Sequence, residues 1–516
     1  MRIPFDLIAA MLAVYAFRET WASNPLVHWT RDPDQLRAQA EALGAQGSST
    51  SEAFAVLGLF LLLVWLYAEL STRFAERYTA YGRDPYGVRS PDGRLPRWHP
   101  YVFYSRLNLA GQILSVLGYC AFIWIYRWPL KTCAWPEWVG LAWLDVPAHA
   151  RDFLGQSQLA GTLTDVGPFA LAMIISWLPR RRFLSSGQRS GSIAAYLSFE
   201  ARLTFLPLAM WICFSFFGDA FELAKLGLPA PWTQAIETLP EWASLIFSLL
   251  ALFAFAVLVM PWLMVRVWNC QPLPDGPLRQ RLLKVMAKSG VDASAILTWG
   301  GSGTGFINAA VVGPWARMRY ILISPALVKH LDADECEAVL AHELGHARYG
   351  HLTLLLFAVL LFSAVGSLAA YLIPGHDPIL EAAAFIVSAG LFLRLFLGRI
   401  MRACEHEADL ASAEIMGSPL PLVSALEKVA RLAGGIRDIF SWHHGTIAGR
   451  VEHVMEVGLD SARGAAYHRG LKYVRRGVIL LTILLLALQI GAAMLYQTKA
   501  ETGDAPEAEP AASAKE

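Results

Sequence analysis

The sequence is poor in charged residues. Lys, Arg, Asp and Glu make up 16% of its 516 residues, whereas a soluble chain normally carries about a quarter. Hydrophobic residues make up 55% of the chain. This composition excludes an ordinary soluble domain and predicts several membrane-spanning segments.

The sequence also lacks cysteine pairs and a basic domain. Its six cysteines are scattered without a CxxC pair, at Cys120, Cys133, Cys213, Cys270, Cys336 and Cys404. This spacing indicates neither a disulfide framework nor a cysteine-ligated zinc site, and we interpret Cys404 as a packing residue. The net charge is +1 and no basic domain stands out, so we expect no nucleic-acid partner.

Apolar runs that approach or exceed the length of a bilayer crossing recur along the chain. We predict spans near 53–70, 108–126, 161–178, 203–217, 243–265, 352–373, 380–398 and 477–496. A ninth run, 3–17, is short and contains Asp6, so it is a span or an interfacial anchor. No small-residue cleavage site follows it, which argues against a cleavable signal. Asp165 lies within a span and should face the bundle interior or water, with a structural hydrogen-bonding role favoured over a functional one.

Positive charges in the loops predict the orientation of these spans. The loops 71–107 and 179–202 are rich in arginine, whereas 127–160 and 218–242 hold few positive charges. With nine spans, rich and poor loops alternate as the positive-inside rule requires. The N-terminus is then cytoplasmic and the acidic C-terminal tail lies outside.

The predicted organisation has four parts. Residues 1–265 form an N-terminal transmembrane region of about six spans, and 266–476 form a domain interrupted by a transmembrane hairpin at 352–398. A C-terminal transmembrane helix follows at 477–497, and 498–516 is a disordered tail rich in Ala, Glu and Pro. Both parts of the interrupted domain fall on the cytoplasmic side, so they can contribute to one site.

His342-Glu343-Leu344-Gly345-His346 is typical of a zinc site that carries its own general base. His342 and His346 are four residues apart, so they share one face of a helix and can bind one cation. Glu343 can reach a metal-bound water without binding the metal itself. Alone, the motif also occurs by chance, and two surface or core histidines are the alternative.

The residues around the motif support a helix with a close neighbour. Asp332 and Glu335 predict a capping box at its start. Gly345 is unfavourable inside a helix by roughly 1 kcal/mol relative to Ala. It leaves room for another backbone to approach beside the metal.

A second segment offers a third ligand. A catalytic zinc usually has three protein ligands and one open position. Glu405 and Asp409 are again four residues apart on one predicted helical face. Glu405 could bind the metal while Asp409 fixes the tautomer of a ligand histidine. An ordinary charged helix is the alternative for this segment taken alone.

Together, HELGH and the later ExxAD resemble the gluzincin metallopeptidases of the HtpX and type I CAAX prenyl protease superfamily. Residues 306–313 are similar to the Asn-Ala edge strand of that family, which pairs with substrate backbone. Residues 320–327 resemble its following strand and turn. Residues 442–450 resemble its His-Pro-x-x-x-x-Arg segment, with Gly445 in the Pro position. The resemblance covers about residues 270–460.

The resemblance implies a mainly α, polytopic membrane protein with a cytoplasmic gluzincin-type domain that contains a small edge strand or sheet. It implies one Zn2+ per chain, held by His342, His346 and Glu405. Glu343 would be the general base. His444 would donate a hydrogen bond to the oxyanion on the scissile carbonyl, with His443 as the alternative.

Further residues acquire expected roles from the same resemblance. Asn308 and Ala309 would present edge-strand backbone to an extended substrate peptide. Three further residues would contact the metal ligands without binding the metal, or would pair with carboxylates, namely Asp409, Arg402 and Arg450. Plain surface positions are an equal alternative for the two arginines.

The expected function is hydrolysis of peptide bonds in membrane or membrane-associated proteins, in a bacterial inner membrane with a cytoplasmic active site. CAAX processing and quality control of damaged proteins imply the same site, and the compact arrangement favours quality control. One alternative is a sensor-transducer that cleaves a cytosolic repressor, but no sizeable external domain is present to sense a ligand. Another is a non-catalytic transporter with a structural zinc, which would not need Glu343.

Overall fold

The computed structural model describes residues 50–81, 158–180, 193–204, 254–299, 307–370, 390–432 and 436–502, with short pieces between 107 and 231 and at 387–388. The described chain is mainly helical with one small mixed sheet, as the sequence predicts. The short N-terminal run 3–17 and residues 503–516 lie outside it, as does the side chain of Asp165.

The described helices are numbered here in chain order. They are α1 (Thr50–Tyr81), α2 (Gln158–Arg180), α3 (Ile193–Thr204), α4 (Met260–Val267), α5 (Pro277–Ser289), α6 (Pro325–His330), α7 (Ala333–Arg348), α8 (His351–Ala370), α9 (Gly398–Met416), α10 (Leu420–Leu432), α11 (Ile447–Val457) and α12 (Ser461–Thr502). π-helical turns precede α4 (Phe255–Val259) and α9 (Phe392–Leu397), and a 3-10 turn covers Ala316–Met318.

Four short strands form the sheet. They are β1 (Gln271–Pro272), β2 (Ala295–Thr298), β3 (Ala309–Val312) and β4 (Tyr320–Ile323), in the order β1-β2-β4-β3. β2 and β4 are parallel, and β3 pairs antiparallel with β4. Among the described residues, β3 is therefore an edge strand, as predicted for the segment that contains Ala309.

The sheet has apolar side chains on both faces, because alternate residues of a strand point in opposite directions. Ile296 and Ile321 face a core that includes Leu340 and Leu344 of α7. Leu322 faces the opposite side, where it packs in a cluster with two stacked tryptophans, Trp268 and Trp299. This packing fixes β3 and β4 against α7.

The start of α7 has the predicted capping box. The Asp332 carboxylate accepts a hydrogen bond from the backbone N–H of Glu335 at 3.0 Å. The Glu335 carboxylate accepts one in return from the backbone N–H of Asp332 at 2.9 Å. These bonds satisfy two backbone donors at the helix N-terminus and fix where α7 begins.

α7 and α9 cross closely at Gly345. A Cβ atom at this position would lie 2.9 Å from Cβ of Ala411 and 3.1 Å from Cα of Ala408. The space that Gly345 leaves is thus filled by the backbone of α9, which confirms the expected close approach. α9 packs on its other side against α8 and α12, around Leu354, Cys404 and Leu471.

Two described helices contain segments long and apolar enough to cross a membrane, Val56–Phe74 and Ser461–Gly491. α7 and α8 together meet the same criterion as a broken pair bent by 48°. The described residues therefore hold two or three candidate spans instead of the predicted nine. Apolar parts of two other helices, Gly167–Pro179 and Val257–Val267, are shorter than a crossing requires.

Several predicted spans lie wholly or partly outside the described residues, namely 108–126, 203–217, 243–265, 352–373 and 380–398. The predicted C-terminal span 477–497 lies within α12, which continues to Thr502. The predicted tail thus starts later than residue 498.

The described cysteines are free thiols, namely Cys213, Cys270, Cys336 and Cys404.

Candidate metal centre

The two histidines of the HELGH motif converge from one face of α7. Their Nε2 atoms lie 3.1 Å apart. Two ring nitrogens at this distance interact favourably only if one donates a hydrogen bond to the other or if both bind the same cation. Two Nε2 ligands at about 2.0–2.1 Å from a tetrahedral zinc would be separated by roughly 3.3 Å. The observed spacing fits such a pair.

α9 supplies the third group. The Glu405 carboxylate lies 3.6 Å from Nε2 of His346 and 3.8 Å from Nε2 of His342. The three possible ligand atoms all lie within 4.8 Å of one another. The side chains of His342 and Glu405 are buried. The donor set of two imidazoles and one carboxylate suits a catalytic zinc ion.

Glu343 lies beside this cluster without joining it. Its side chain is half-buried, and its carboxylate is not one of the converging groups. Burial raises the pKa of the Glu343 carboxyl above its ordinary value, because a desolvated carboxylate is disfavoured. A carboxyl with a raised pKa accepts a proton more readily near neutral pH.

Asp409 lies one turn beyond Glu405 and contacts the first histidine. Its Oδ1 is 2.9 Å from Nδ1 of His342. Nδ1 is therefore placed to carry a proton, which leaves Nε2 free to bind a metal. The Asp409 side chain is fully buried. Burial acts to raise its pKa, but Arg450 and His342 together lower the pKa to about 2.

Arg450 is buried and holds both carboxylates. Its guanidinium donates two hydrogen bonds to Asp409, at 2.6 and 2.9 Å. Its Nη1 lies 3.0 Å from Oε2 of Glu405. Although burial acts to raise the pKa of Glu405, the charge of Arg450 and the hydrogen bond from His444 hold that pKa well below its usual range. Arg450 is thus a buried support of the site, not a surface arginine.

The loop before α11 places a further histidine at the site. Nδ1 of His444 lies 3.0 Å from Oε1 of Glu405, and its side chain is 43% exposed. Nδ1 of His443 instead lies 3.2 Å from the hydroxyl of Ser441. The loop closes through two backbone hydrogen bonds between Ser441 and Gly445, at 2.8 and 2.9 Å. Of the two histidines, His444 is the one that faces the metal centre.

Arg402 supports this loop. Its Nη1 donates a hydrogen bond to the carbonyl of Trp442 at 2.6 Å. Its guanidinium also lies over the ring of Phe440, 5.3 Å from the ring centroid. Arg402 therefore links α9 to the segment that carries His443 and His444.

The edge strand departs in one respect from the expectation. The carbonyl of Asn308 accepts from the backbone N–H of Ser324 at 2.9 Å, and its N–H donates to the Ser324 hydroxyl at 2.9 Å. Both backbone groups of Asn308 are thus engaged within the sheet. Because hydrogen-bonding direction alternates along an antiparallel strand, the backbone groups of Ala309 and Val311 point to the open edge.

Two residues at the site have no role in the sequence analysis. His351, at the start of α8, lies 2.7 Å from Nδ1 of the ligand candidate His346. Glu407 of α9 lies 2.8 Å from the other ring nitrogen of His351. The turn at Gly350, with φ +64°, redirects the chain after α7 and brings His351 back toward His346. No local pattern reveals this contact.

The geometry is that of a HExxH metal centre with a glutamate from a second helix, and comparison with known proteins agrees. Residues 272–499 match the model of peptidase family M48. The resemblance of this region to the HtpX and CAAX protease superfamily is thereby confirmed.

Two curated relatives match part of the chain. A protease HtpX homolog of Methanopyrus kandleri is 33% identical over 137 residues, which is 24% of this chain and 41% of the relative. One from Burkholderia mallei is 30% identical over 140 residues, which is 25% of this chain and 48% of the relative. The matches span less than half of either relative.

One solved structure is similar over a longer part of the chain. The crystal structure of S. mikatae Ste24p aligns with 76% of this chain and 98% of its own, at 17% identity and a TM-score of 0.46.

Proposed function

We propose that this protein is an integral-membrane zinc-dependent endopeptidase that hydrolyses peptide bonds of membrane or membrane-associated proteins at the cytoplasmic face. The observation that carries the proposal is the convergence of His342, His346 and Glu405, with Glu343 beside them. When bound, one zinc ion per chain supplies Lewis-acid activation of water and of the scissile carbonyl.

Glu343 moves the protons of the reaction. Its carboxylate accepts a proton from the attacking water and later donates one to the leaving amine. The raised pKa of its carboxyl suits both roles, because a group that titrates closer to neutral pH can both accept and donate a proton. Glu343 follows a ligand directly on α7, so it is held at the site by the same helix.

His444 is the proposed donor to the oxyanion. Its ring lies beside Glu405 and remains partly exposed, so a substrate carbonyl can approach it. A donor placed before the reaction stabilises charge that develops in the transition state. Arg450 is fully engaged with Asp409 and Glu405. We therefore assign it to holding the ligands and not to binding substrate.

The open edge of β3 is the proposed binding surface for substrate backbone. An extended peptide can add to this edge through the backbone groups of Ala309 and Val311. β3 lies next to α7, the helix that carries His342 and His346. Main-chain pairing here would give affinity with little sequence preference, which suits a protease with many protein substrates.

A paired substitution separates metal binding from chemistry. Glu343→Gln should keep about one zinc per chain but lose at least about a hundredfold in cleavage rate, because it removes the base and no ligand. Glu405→Ala should lose most of the zinc. Glu452→Ala, an exposed glutamate on α11, is the matched control and should change neither. Elemental analysis of the purified chain and cleavage of casein in detergent provide the two readouts.

Two outcomes would contradict the proposal. Near-normal cleavage by Glu343→Gln would place the base elsewhere. Zinc retained in Glu405→Ala would remove Glu405 from the ligand set. A wild-type chain that holds zinc yet cleaves neither casein nor reconstituted membrane proteins would indicate a structural metal.

A further inference from the structure

The second ligand histidine has an unusual partner. Nδ1 of His346 lies 2.7 Å from Nδ1 of His351, a hydrogen-bonding distance. The side chain of His351 is 2% exposed, so water does not replace this contact. The first ligand histidine, His342, instead contacts the carboxylate of Asp409. The two ligand histidines therefore have chemically different supports.

The contacts of His351 fix the direction of this hydrogen bond. Nε2 of His351 lies 2.8 Å from Glu407, a fully buried carboxylate that can only accept. His351 must therefore carry its proton on Nε2 and donate it to Glu407. Its Nδ1 is then unprotonated and can accept from His346. This leaves Nε2 of His346 unprotonated, as a metal ligand must be.

Glu407 is itself held by the long helix α12. Its Oε1 lies 3.1 Å from Nδ1 of His468, and its Oε2 lies 3.1 Å from the guanidinium of Arg475. These two contacts fix the carboxylate of Glu407 beside His351. The polar chain thus runs from α12 through Glu407 and His351 to His346.

We infer that His351 is a positioning residue for the metal centre, and that Glu407 holds it in the tautomer that accepts a hydrogen bond from His346. This inference rests on the proposed metal site, because it assigns the support of one of its ligands. A neutral imidazole accepts more weakly than a carboxylate. His346 is accordingly the less strongly polarised of the two ligand histidines.

Two substitutions of His351 distinguish this role from simple packing. An Asn side chain places its carbonyl oxygen near the position of Nδ1, so His351→Asn can still accept from His346. A Gln side chain is closer in size to His but reaches toward Nε2, so His351→Gln loses that acceptor. Zinc affinity should fall about 10–100-fold in His351→Gln and clearly less in His351→Asn. A packing role predicts the reverse order.

The measurements use the full chain in detergent. Zinc affinity comes from competition with a chelator, and the absorption spectrum of the Co2+-loaded chain reports the ligand geometry without any activity assay. His330→Gln is the matched control, because His330 is exposed at the end of α6 and is not part of the polar chain. It should leave zinc affinity within about threefold of wild type, well below the effect of a lost ligand support. Thermal unfolding of the metal-free chains checks that the variants fold.

The outcomes separate this inference from the proposed function. No zinc in the wild-type chain would overturn both. Two results would overturn the positioning role alone if the wild type binds zinc. One is an equal zinc affinity of the two His351 variants, and the other is a higher affinity of His351→Gln than of His351→Asn. An equal loss in His330→Gln would also overturn this role. If both His351 variants fail to fold, an unchanged Co2+ spectrum in Glu407→Gln would overturn it instead.

Discussion

Gly445 is the residue at which this chain departs from the His-Pro pattern of the family it resembles. Its φ is +75°, in the left-handed region that Gly adopts easily. Pro, with φ fixed near −65°, cannot adopt this conformation. The backbone bonds between Ser441 and Gly445 close the loop in this form and direct His444 toward Glu405.

This geometry predicts different effects for the two adjacent histidines. His444→Ala should lower turnover about a hundredfold or more, the usual cost of removing one oxyanion donor. Zinc content should change little, because His444 is not a ligand. His443→Ala should have a milder effect, because His443 contacts Ser441 and not Glu405.

Steady-state kinetics with zinc analysis of both variants checks this prediction. If the two variants exchange phenotypes, the roles of the histidines are reversed. If neither lowers turnover, the oxyanion is stabilised by another group.

The sequence predicts residues whose partners lie within one helical turn. The capping box of Asp332 and Glu335 needs only a spacing of three, and the pairing of His342 with His346 needs a spacing of four. His351 and Glu407 lie on two different helices and are 56 positions apart in the sequence. Their contact depends on the fold as a whole, so no local spacing signals it.

At the scale of elements, the sequence predicts whether a segment is a helix or a strand better than it predicts the hydrogen bonds between neighbouring strands. The edge strand at Ala309 follows from its resemblance to a family strand, and its antiparallel partner β4 follows it in the chain. The hydrogen bonds of Asn308 to Ser324 depend on the register between the two strands, which the sequence does not reveal. The strand alone does not fix which backbone groups face outward.

The crossing of α7 and α9 gives a prediction at the same scale. Ala is a better helix former than Gly by about 1 kcal/mol. Gly345→Ala should nevertheless destabilise the protein by about 1–3 kcal/mol, because the new Cβ would overlap Ala408 and Ala411. The matched control is Gly470→Ala on α12, where nothing lies within 4 Å of the new Cβ.

Thermal unfolding of the metal-free chains measures both effects. Gly345→Ala should lower the Tm, whereas Gly470→Ala should leave it unchanged or raise it. An equal rise in both variants would mean that the two helices can separate at no cost. The close crossing would then not be needed to bring Glu405 to the histidines.

At the scale of the whole molecule, the membrane topology remains a prediction from the loop charges. An odd number of spans places the termini on opposite sides, with residues 266–351 and 399–476 in the cytoplasm. Glu452→Cys lies on the exposed surface of α11, whereas Ala511→Cys lies in the predicted external tail. A membrane-impermeant maleimide on intact cells should label Ala511→Cys and should label Glu452→Cys only after lysis.

The native cysteines set the background for that experiment, so the unmodified chain is the control. Labelling of both introduced cysteines in intact cells would place the metal centre outside the cytoplasm. Protection of both would put the C-terminus inside and require an even number of spans.

The long helix α12 has a consequence for which peptide bonds the protein can reach. His468 and Arg475 contact Glu407 in the polar chain that ends at the metal centre, and Val478 of the same helix packs in the apolar cluster with Leu354 and Leu471. With a rise of about 1.5 Å per residue, Arg475 lies only about 4.5 Å along the axis from Val478. In the predicted topology, α12 therefore fixes the height of the proposed catalytic groups above the hydrocarbon layer. We expect a peptide bond close to the membrane surface to reach the proposed site directly, whereas one near the bilayer centre would first have to leave the lipid.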